Sequence, residues 1–250
     1  MITAPVLVVT GGSRGIGAAT ARLAADRGFA VALTYNSKQN AADAVVGEIE
    51  ARGGVALALH CDVSLEGDVC RTFEEIDRRL GRLVALVNNA GVLETQMRLE
   101  NMTAARLNRI FAINVTGSFL CAREGIKRMS TRHGGSGGSI VNVSSAAARL
   151  GGAGEYVDYA ASKGALDTMT VGLAQEVAGD GIRVNAVRPG VIYTGIHADG
   201  GEPNRVDRVK QFVPMKRGGQ PEEVARAILW LISNEASYST GTFVDVSGGR

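Results

Sequence analysis

Short apolar runs alternate along the chain with longer amphipathic segments. Each run is a near-continuous series of Val, Ala, Leu and Ile, which is typical of strands buried on both faces of a parallel sheet. The runs predict seven strands, at 6–10, 30–35, 55–61, 83–89, 139–145, 182–189 and 242–246. The segments between the runs predict helices at 15–27, 40–52, 66–80, 103–131, 155–178 and 221–233.

Strand–helix alternation over residues 1–250 predicts an α/β fold, a single domain with a doubly wound, seven-stranded parallel sheet and helices on both faces. Two stretches interrupt the alternation. HGGSGGS (133–139) predicts a flexible connector before the fifth strand. Residues 191–220 are long, polar and rich in Gly and Pro, and they follow the sixth strand at the edge where ligands bind in such sheets. We name residues 191–220 the lid segment and expect it to cover the substrate.

Composition and charge argue against several classes of protein. A net charge of +2 gives no basic field for nucleic acid. The sequence lacks an 18-residue apolar run, so we expect no membrane span, and the N-terminal MITAPVLVVTGG lacks the basic region of a signal peptide. The three cysteines and three histidines are scattered, so we expect reduced thiols and no metal site. These features together predict a cytoplasmic protein.

TGGSRGIG (10–17), which we name the glycine loop, connects the first strand to the first helix. Gly11 permits a tight turn, while Gly15 and Gly17 let the backbone approach a pyrophosphate and let the helix pack on the sheet. The helix N-terminus offers N–H groups and a partial positive charge. The spacing GxxxGxG differs from the common GxGxxG, but its place between strand and helix predicts dinucleotide binding rather than a plain turn. The candidate contacts in this loop are Gly11, Ser13, Arg14, Gly15, Ile16 and Gly17.

The end of the second strand decides which dinucleotide is expected. TYNSKQN (34–40) contains no acidic residue, which a cofactor lacking the 2′-phosphate usually finds there. Arg14 and Lys38 can both reach a 2′-phosphate, and Asn36 and Ser37 can donate hydrogen bonds to it. We therefore predict NADP(H), with NAD(H) as the second candidate. In the alternative interpretation Lys38 is a solvated surface lysine.

Polar residues also follow other strands. Asp62, in CDVS (61–64), can accept a hydrogen bond from the adenine amino group or cap the next helix. The amides of NNAG (88–91) can line the cofactor cleft and tie the sheet edge to a neighbouring helix. Backbone groups of PGVIYT (189–194) can bind the nicotinamide carboxamide.

YVDYAASK (156–163) predicts an acid–base pair. Tyr159 and Lys163 are four residues apart and share one helix face, whereas Tyr156 is separated from Lys163 by ~10 Å of helical rise. A free phenol has a pKa near 10, and a fixed ammonium nearby lowers it toward the range useful for acid–base catalysis. Tyr159 is therefore the candidate acid and Tyr156 a wall or packing residue. The alternative is an ordinary helix with a buried tyrosine and an exposed lysine.

Three further side chains support this interpretation. Ser144 and Ser145 end the fifth strand, where a hydroxyl can hold a substrate carbonyl oxygen beside the phenol. Asn114, in FAINVTG (111–117), lies inside the long fourth helix, where asparagine is unfavourable. It can bond a water that leads to the lysine, or it is an interior polar residue without a role.

The motifs TGGSRGIG, CDVS, NNAG, INVTG, SS, YAASK and PGVIYT occur in this order over essentially all of the chain. Together they resemble the short-chain dehydrogenase/reductase family. The resemblance implies a single-domain Rossmann fold, usually a tetramer, and hydride exchange between a nicotinamide cofactor and a small-molecule alcohol/carbonyl pair. It implies further cofactor contacts at Asp62, Val63, Asn89, Gly91, Tyr159, Lys163, Pro189, Gly190, Ile192 and Thr194.

The same resemblance implies catalytic roles. Tyr159 would be the proton donor, and Lys163 would lower its pKa and hold the nicotinamide ribose. Ser145 would orient the carbonyl oxygen, with Ser144 as second choice. Asn114 would support a proton-relay water.

The chain departs from the family pattern at two points. The gap of 14 residues between Ser145 and Tyr159 is one longer than expected. The lid segment is more polar than in acyl-carrier reductases, which favours polar or sugar-like substrates over acyl thioesters. Within the family, the chain as a whole resembles bacterial members of unassigned substrate, of the glucose 1-dehydrogenase-like and 3-oxoacyl-reductase-like kinds. An alternative is a non-catalytic NAD(P)-binding redox sensor, which would not need all four catalytic side chains. A third alternative is a nucleotide-sugar epimerase or dehydratase, which can share the YxxxK pattern. Such enzymes resemble longer chains with an added C-terminal substrate domain, so we do not expect this function.

Overall fold

A single parallel sheet of seven strands forms the centre of the computed structural model, which describes residues 4–250. The strands are Val6–Val9 (β1), Ala30–Tyr35 (β2), Val55–His60 (β3), Leu83–Asn88 (β4), Gly138–Val143 (β5), Ile182–Pro189 (β6) and Phe243–Val246 (β7). Their order is β3-β2-β1-β4-β5-β6-β7, with every neighbouring pair parallel. The predicted strands and the predicted α/β fold are confirmed.

The helices occupy the segments between the strands. They are Gly15–Asp26 (α1), Gln39–Glu50 (α2), Glu66–Arg79 (α3), Ala104–Phe111 (α4), Gly117–Met129 (α5), Ala147–Leu150 (α6), Val157–Val177 (α7), Ile196–Asp199 (α8), Arg205–Val209 (α9) and Pro221–Ile232 (α10). Within residues 4–250, no helix is both long and apolar enough to cross a bilayer.

Helices cover both faces of the sheet, as predicted for a doubly wound fold. Along β1 the fully buried side chains alternate, because successive residues of a strand point to opposite faces. Val6 and Val8 pack in the layer formed with α3, α5 and α7, while Leu7 and Val9 pack in the layer formed with α1, α2 and α10. Both faces of a central strand therefore favour apolar residues, which explains the apolar runs, and the buried polar exceptions Asn142 and Asn185 in β5 and β6 are hydrogen-bonded.

The structure corrects the expectation that every strand is buried on both faces. β3 pairs only with β2, so it forms one edge of the sheet. Its first residue, Val55, is 37% exposed, and His60 at its end is also exposed. β7 forms the other edge and none of its residues is fully buried. Apolar composition alone does not separate an edge strand from a central one.

The predicted fourth helix is interrupted. A π-helical turn at Ala112–Thr116 separates α4 from α5 and contains Asn114. Such turns are rare and occur frequently at functional sites.

The predicted 133–139 connector forms a hydrogen-bonded turn, and its last two residues begin β5. Gly135 and Gly137 donate backbone hydrogen bonds to Ser130 and Met129, at 2.9 and 2.8 Å. A Cβ added at Gly135 would lie 2.3 Å from the Met129 carbonyl oxygen. Close approach of the backbone therefore explains this glycine.

The chain reverses its direction of travel across the sheet between β1 and β4. From β1 it proceeds outward through β2 and β3, and it then returns to β4 and proceeds the other way. At such a switch point the connections diverge from the carboxyl ends of two adjacent strands and leave a crevice, which is where ligands bind in this class of fold.

Candidate active site

A cavity of about 560 Å³ opens at the carboxyl edge of the sheet. It is lined by the glycine loop, the residues after β2 to β6, the start of α7 and the lid segment. The structure brings to this cavity Gly11, Ser13, Arg14, Gly15, Ile16, Asn36, Ser37, Lys38, Asp62, Val63, Asn89, Gly91, Ser145, Tyr159, Lys163, Pro189, Gly190, Ile192 and Thr194. Of the candidate residues, Gly17 and Asn114 lie behind the lining.

The glycine loop has the geometry that a dinucleotide phosphate requires. Gly11 and Gly15 have φ of 63° and 55°, in the left-handed region that favours glycine. A Cβ at Gly17 would lie 2.4 Å from the Gly11 carbonyl oxygen and 2.5 Å from Asn89 Nδ2. The N-terminus of α1 has no side-chain cap and no acidic residue in its first turn. Its N–H groups and partial positive charge thus suit an anionic ligand.

The Asn89 side chain holds the glycine loop through hydrogen bonds to its backbone. Its Nδ2 donates to the carbonyl oxygens of Thr10 and Gly11, both at 2.9 Å. The Thr10 hydroxyl in turn accepts from the backbone N–H groups of Asn89 and Ala90, at 3.0 and 2.9 Å. This exchange joins the ends of β1 and β4 and fixes the shape of the glycine loop. The role of Thr10 was not predicted, and its only sequence signal is its place at the end of the first strand.

The far end of the cavity lies between β2 and the glycine loop. Lys38 precedes α2 with an exposed side chain, next to Asn36 and Ser37. The Arg14 guanidinium forms an ion pair with Asp199, at the end of α8 in the lid segment. Arg14 therefore connects the glycine loop to the lid segment, a contact that its sequence position does not reveal.

Asp62 lines the cavity and also stabilises the turn that precedes α3. Its Oδ1 accepts hydrogen bonds from the backbone N–H and the hydroxyl of Ser64, at 2.9 and 2.6 Å. This closes the turn that precedes α3, which is close to the capping role named as its alternative.

Tyr159 and Lys163 lie one turn apart on α7 and both line the cavity, where Lys163 is buried and Tyr159 is partly exposed. The Lys163 ammonium lies 5.6 Å from the centre of the Tyr159 ring and donates a 2.7 Å hydrogen bond to the Val143 carbonyl oxygen. Burial lowers the pKa of Lys163 to about 8, while the negative charge of Asp167 acts in the opposite direction. The shared face predicted from the four-residue spacing is present.

The direction of the Tyr159 shift differs from the expectation. Burial raises the pKa of Tyr159 to about 12, and a hydrogen bond with the Ser145 side chain opposes this increase. Loss of hydration disfavours the phenolate, and the lowering of the pKa expected from the Lys163 ammonium is not found: Ser145 alone opposes the effect of burial. The protein alone therefore keeps Tyr159 protonated.

The two adjacent serines have different surroundings. Ser144 is buried, and its Oγ lies 2.6 Å from Asp167 Oδ1 and 3.2 Å from the Lys163 carbonyl oxygen. The Ser145 side chain faces Tyr159 and the cavity, and its Oγ accepts from the Ala147 N–H at 3.1 Å. Ser145 is thus the serine positioned beside the phenol, and Ser144 anchors α7 to the end of β5.

The extra residue between Ser145 and Tyr159 lies in a segment made of α6 and a glycine-rich turn. Gly151, Gly152 and Gly154 all have positive φ, at 77°, 62° and 73°. These conformations let the chain reverse sharply before α7 begins at Val157. The longer gap therefore still allows the Ser145 side chain to act on the Tyr159 phenol.

Asn114 is fully buried in the π-helical turn. Its Oδ1 accepts from the Val92 N–H at 2.8 Å, and its Nδ2 donates to the Val92 carbonyl oxygen at 3.1 Å and to Ser162 Oγ at 3.0 Å. The side chain expected to bond a water thus ties the segment after β4 to α7. A Cβ added at Gly91 would lie 3.6 Å from Lys163 Nζ, so this segment passes directly beside the lysine.

Five side chains, which we call the polar clasp, were not predicted as a site: Gln96, Glu155, Tyr156, Glu202 and Arg205. The buried Tyr156 hydroxyl accepts from Gln96 Nε2 at 3.0 Å, and the Arg205 guanidinium lies 4.7 Å from the centre of the Tyr156 ring. Arg205 also pairs with Glu155 at 2.5 Å and Glu202 at 3.0 Å. The clasp joins the lid segment to the body, and the wall role expected for Tyr156 agrees with its position.

A buried ion pair supports the start of α7. Arg106 Nε of α4 donates to Asp158 Oδ2 at 2.7 Å, and the Asp158 side chain is fully enclosed. Arg106 also donates to the Thr95 carbonyl oxygen at 2.6 Å. The pair thereby fixes α4, α7 and the segment after β4 around Tyr159. Sequence reasoning missed it because its two residues are 52 positions apart.

Comparisons with known proteins agree with this geometry. A family model described as enoyl-(acyl carrier protein) reductase matches residues 11–250. The chain is 60% identical over 245 residues to the uncharacterized oxidoreductase YgfF of Escherichia coli, covering 98% of this chain and 99% of that protein. It is 39% identical over 253 residues to the 3-oxoacyl-[acyl-carrier-protein] reductase of Synechocystis, covering 99% and 97%. A short chain dehydrogenase from Burkholderia cenocepacia in complex with NADP superposes with a TM-score of 0.90 at 31% identity, covering 98% and 97%.

The sheet order and the cavity at its carboxyl edge define a Rossmann-type fold, the class in which dinucleotides bind at the switch point of the sheet. The chain belongs to the short-chain dehydrogenase/reductase family. It is an enzyme that acts on CH–OH groups with NAD(P) as acceptor. The alternative of a non-catalytic NAD(P)-binding redox sensor is not favoured.

Proposed function

We propose that this enzyme is an NADP(H)-preferring oxidoreductase in which Tyr159 exchanges a proton with the oxygen of a small alcohol or carbonyl substrate. One observation carries the proposal: the Tyr159 phenol is beside Ser145 and one helical turn from Lys163, in the cavity that the glycine loop also lines. A nicotinamide cofactor bound there would supply or accept the hydride.

The proposed catalytic roles follow from the contacts of each side chain. Ser145 donates a hydrogen bond to the substrate oxygen and keeps it beside the phenol. Lys163, fixed by its hydrogen bond to Val143, lies 5.6 Å from the centre of the Tyr159 ring, where a positive charge would stabilise a phenolate, and it holds the nicotinamide ribose. Asn114 keeps the segment after β4 in place beside Lys163 and supports the proton-relay water.

The preference for NADP(H) rests on the charge at the far end of the cavity. Arg14 and Lys38 both line it, and residues 34–40 contain no acid to bind a free ribose hydroxyl. The NADP complex of the Burkholderia relative supports the same preference. Asn36 and Ser37 complete the proposed phosphate site, and Asp62 with Val63 the adenine site.

We propose a polar substrate, such as a hydroxylated or sugar-like alcohol. The polar clasp lines the substrate end of the cavity through Glu155, Tyr156 and Arg205. Its two carboxylates, Glu155 and Glu202, are matched by Arg205 and the neighbouring Arg208, so the wall is polar without a large net charge. Long acyl chains would gain little from such a wall.

We also propose a cytoplasmic, single-domain homotetramer. Phe119 on α5 and Val171 on α7 are 48% and 40% exposed, so apolar side chains project from the helices expected to pair. Light scattering after size exclusion should give four times the chain mass, and Phe119→Glu should reduce it. A monomeric wild-type protein would refute the assembly without affecting the catalytic proposal.

Paired fluorescence titrations with NADPH and NADH test the cofactor preference, followed by turnover on a panel of carbonyls and sugars. Lys38→Ala should weaken NADPH binding by about two- to fivefold and leave NADH binding unchanged, on the scale of an exposed charge pair. Arg27→Ala, at the opposite end of α1, is the matched control and should change neither. Tighter binding of NADH by the wild type would refute the preference, and absence of turnover on the whole panel would refute the proposed substrate class.

A further inference from the structure

The glycine loop and the lid segment contact each other at two adjacent positions. Arg14, the residue before α1, forms an ion pair with Asp199 at the end of α8. A Cβ added at Gly15 would lie 3.2 Å from Thr194 Cγ2, and one added at Gly195 would lie 3.2 Å from Arg14 Nη1. The start of the lid segment thus packs on the loop that is expected to bind the cofactor phosphates.

Asp199 is placed to compete for Arg14. Both side chains line the cavity, as does Lys38, and within residues 4–250 neither Arg14 nor Asp199 forms another ion pair. A guanidinium binds a carboxylate or a phosphate through the same planar N–H groups. An Arg14 side chain directed at Asp199 has those groups turned toward the lid segment. A 2′-phosphate at the end of β2 must draw them away.

Electrostatic repulsion by Asp199 also lowers the affinity for NADP(H) relative to NAD(H). The Asp199 carboxylate is an anion at the rim of a cavity expected to receive several phosphate oxygens. Like charges in a cleft repel each other, and the repulsion is greatest for the ligand with the larger negative charge. NADP(H) carries the additional phosphate, so Asp199 disfavours it more than it disfavours NAD(H).

We propose that Asp199 is a cofactor-specificity residue that reduces the selectivity of this enzyme for the 2′-phosphorylated dinucleotide by holding Arg14. The proposal rests on the proposed function, in which Arg14 contacts the 2′-phosphate. The side chains of Arg14 and Asp199 are 46% and 44% exposed, so the competition is one between solvated groups and its effect is modest.

The test compares the ratio of dissociation constants for NADH and NADPH in the full-length wild type, Asp199→Asn, Arg14→Gln and the double variant, at low salt. Asp199→Asn should raise the ratio about two- to fivefold, which corresponds to an exposed ion pair. Arg14→Gln should lower it, and Asp199→Asn should raise the ratio by less in the Arg14→Gln background than in the wild type, because only the direct repulsion by Asp199 then remains. At high salt the effect of Asp199→Asn should shrink.

Asp207→Asn is the matched control. Asp207 is a lid-segment acid that pairs with Lys210 and accepts from the Tyr193 hydroxyl, without contact to Arg14. It should leave the ratio unchanged, and circular dichroism confirms that each variant is folded. Asp199→Ala provides a second variant of the same position.

The outcomes separate the inference from the function on which it rests. An unchanged ratio in both Asp199 variants, or an equal gain for NADPH and NADH, would overturn the specificity role while a lowered ratio in Arg14→Gln still supports the phosphate contact. An unchanged ratio in Arg14→Gln would overturn the phosphate contact and the inference together.

Discussion

The ammonium nitrogen of Lys163 lies 5.6 Å from the centre of the Tyr159 ring, and a 2.7 Å hydrogen bond to the Val143 carbonyl oxygen keeps it there. The four-residue spacing on α7 places the two side chains on one face, and the end of β5 fixes the lysine. Burial nevertheless acts on both groups, lowering the pKa of Lys163 to about 8 and raising that of Tyr159 to about 12. The pair is thus held in a form that favours a neutral phenol.

Tyr159→Phe should abolish most turnover without weakening cofactor binding. The change removes the proton donor and keeps the ring, so we expect kcat to fall by about 10²–10⁴-fold. Steady-state kinetics and a cofactor titration measure the two effects. Tyr238→Phe is the matched control, since Tyr238 is a fully exposed tyrosine that does not line the cavity, and its kcat should equal that of the wild type. A Tyr159→Phe enzyme with most of its rate would refute the acid assignment.

Lys163→Met should change the pH dependence of stability. The pKa of Lys163 is lowered from 10.5 to about 8 on folding, so between these values the unfolded wild-type chain binds more protons than the folded one. Wild-type stability should therefore rise with pH from 8 to 10.5 through this group. The Lys163→Met variant has no such titrating group, so its stability should not rise in this way. The free energy of unfolding of the variant relative to that of the wild type should therefore fall between pH 8 and 10.5. Urea unfolding at several pH values measures the difference, and parallel curves would contradict the shift.

Gly17→Ala should damage the glycine loop. The added Cβ would lie 2.4 Å from the Gly11 carbonyl oxygen, so the loop must move, at a cost of about 1–3 kcal/mol. Cofactor affinity should fall at least about tenfold, because the N–H groups of α1 shift with the loop. Gly47→Ala, on α2 with no atom within 4 Å of the new Cβ, is the control and should stabilise by about 0.5–1 kcal/mol. Equal behaviour of the two variants would contradict the close approach.

Asp158→Ala should be strongly destabilising, because it leaves the Arg106 guanidinium buried without its partner. Breaking a buried pair costs about 3–5 kcal/mol, measurable by urea unfolding. The double variant Arg106→Met/Asp158→Leu should recover most of this loss. Glu48→Ala, which breaks an exposed pair with Arg22, should leave the unfolding midpoint nearly unchanged. If both single variants unfold alike, the Arg106–Asp158 pair does not stabilise the start of α7.

Glu202→Gln should loosen the lid segment in a pH-dependent way. A hydrogen bond from Arg208 lowers the pKa of Glu202 to about 2, from 4.5. Its contribution to stability is therefore fully present above pH 4.5 and is lost as pH falls toward 2. Limited proteolysis within residues 196–220 should be faster in the variant at neutral pH, and the difference should shrink in acid.

Glu100→Gln, whose partner Arg98 lies outside the lid segment, is the control and should leave cleavage of the lid segment unchanged. Equal cleavage of the wild type and Glu202→Gln at neutral pH would show that Glu202 does not hold the lid segment.

The sequence by itself determined the elements and the features that depend on local spacing. Strands and helices follow from hydrophobic periodicity, which reports which side of an element meets the core. The glycine loop followed from three glycines between a strand and a helix, and the pairing of Tyr159 with Lys163 followed from the pitch of one helix. These relationships span fewer than ten residues, so chain geometry alone sets them.

Only the tertiary structure decided which groups those residues meet. It directed Ser145 toward Tyr159 and Ser144 toward Asp167, engaged Asn114 with Val92, paired Arg14 with Asp199 and assembled the polar clasp. It also set the sign of the Tyr159 shift, because desolvation depends on everything packed around the phenol. Such contacts join segments up to 185 positions apart, and no local pattern in the chain encodes which distant segments will meet.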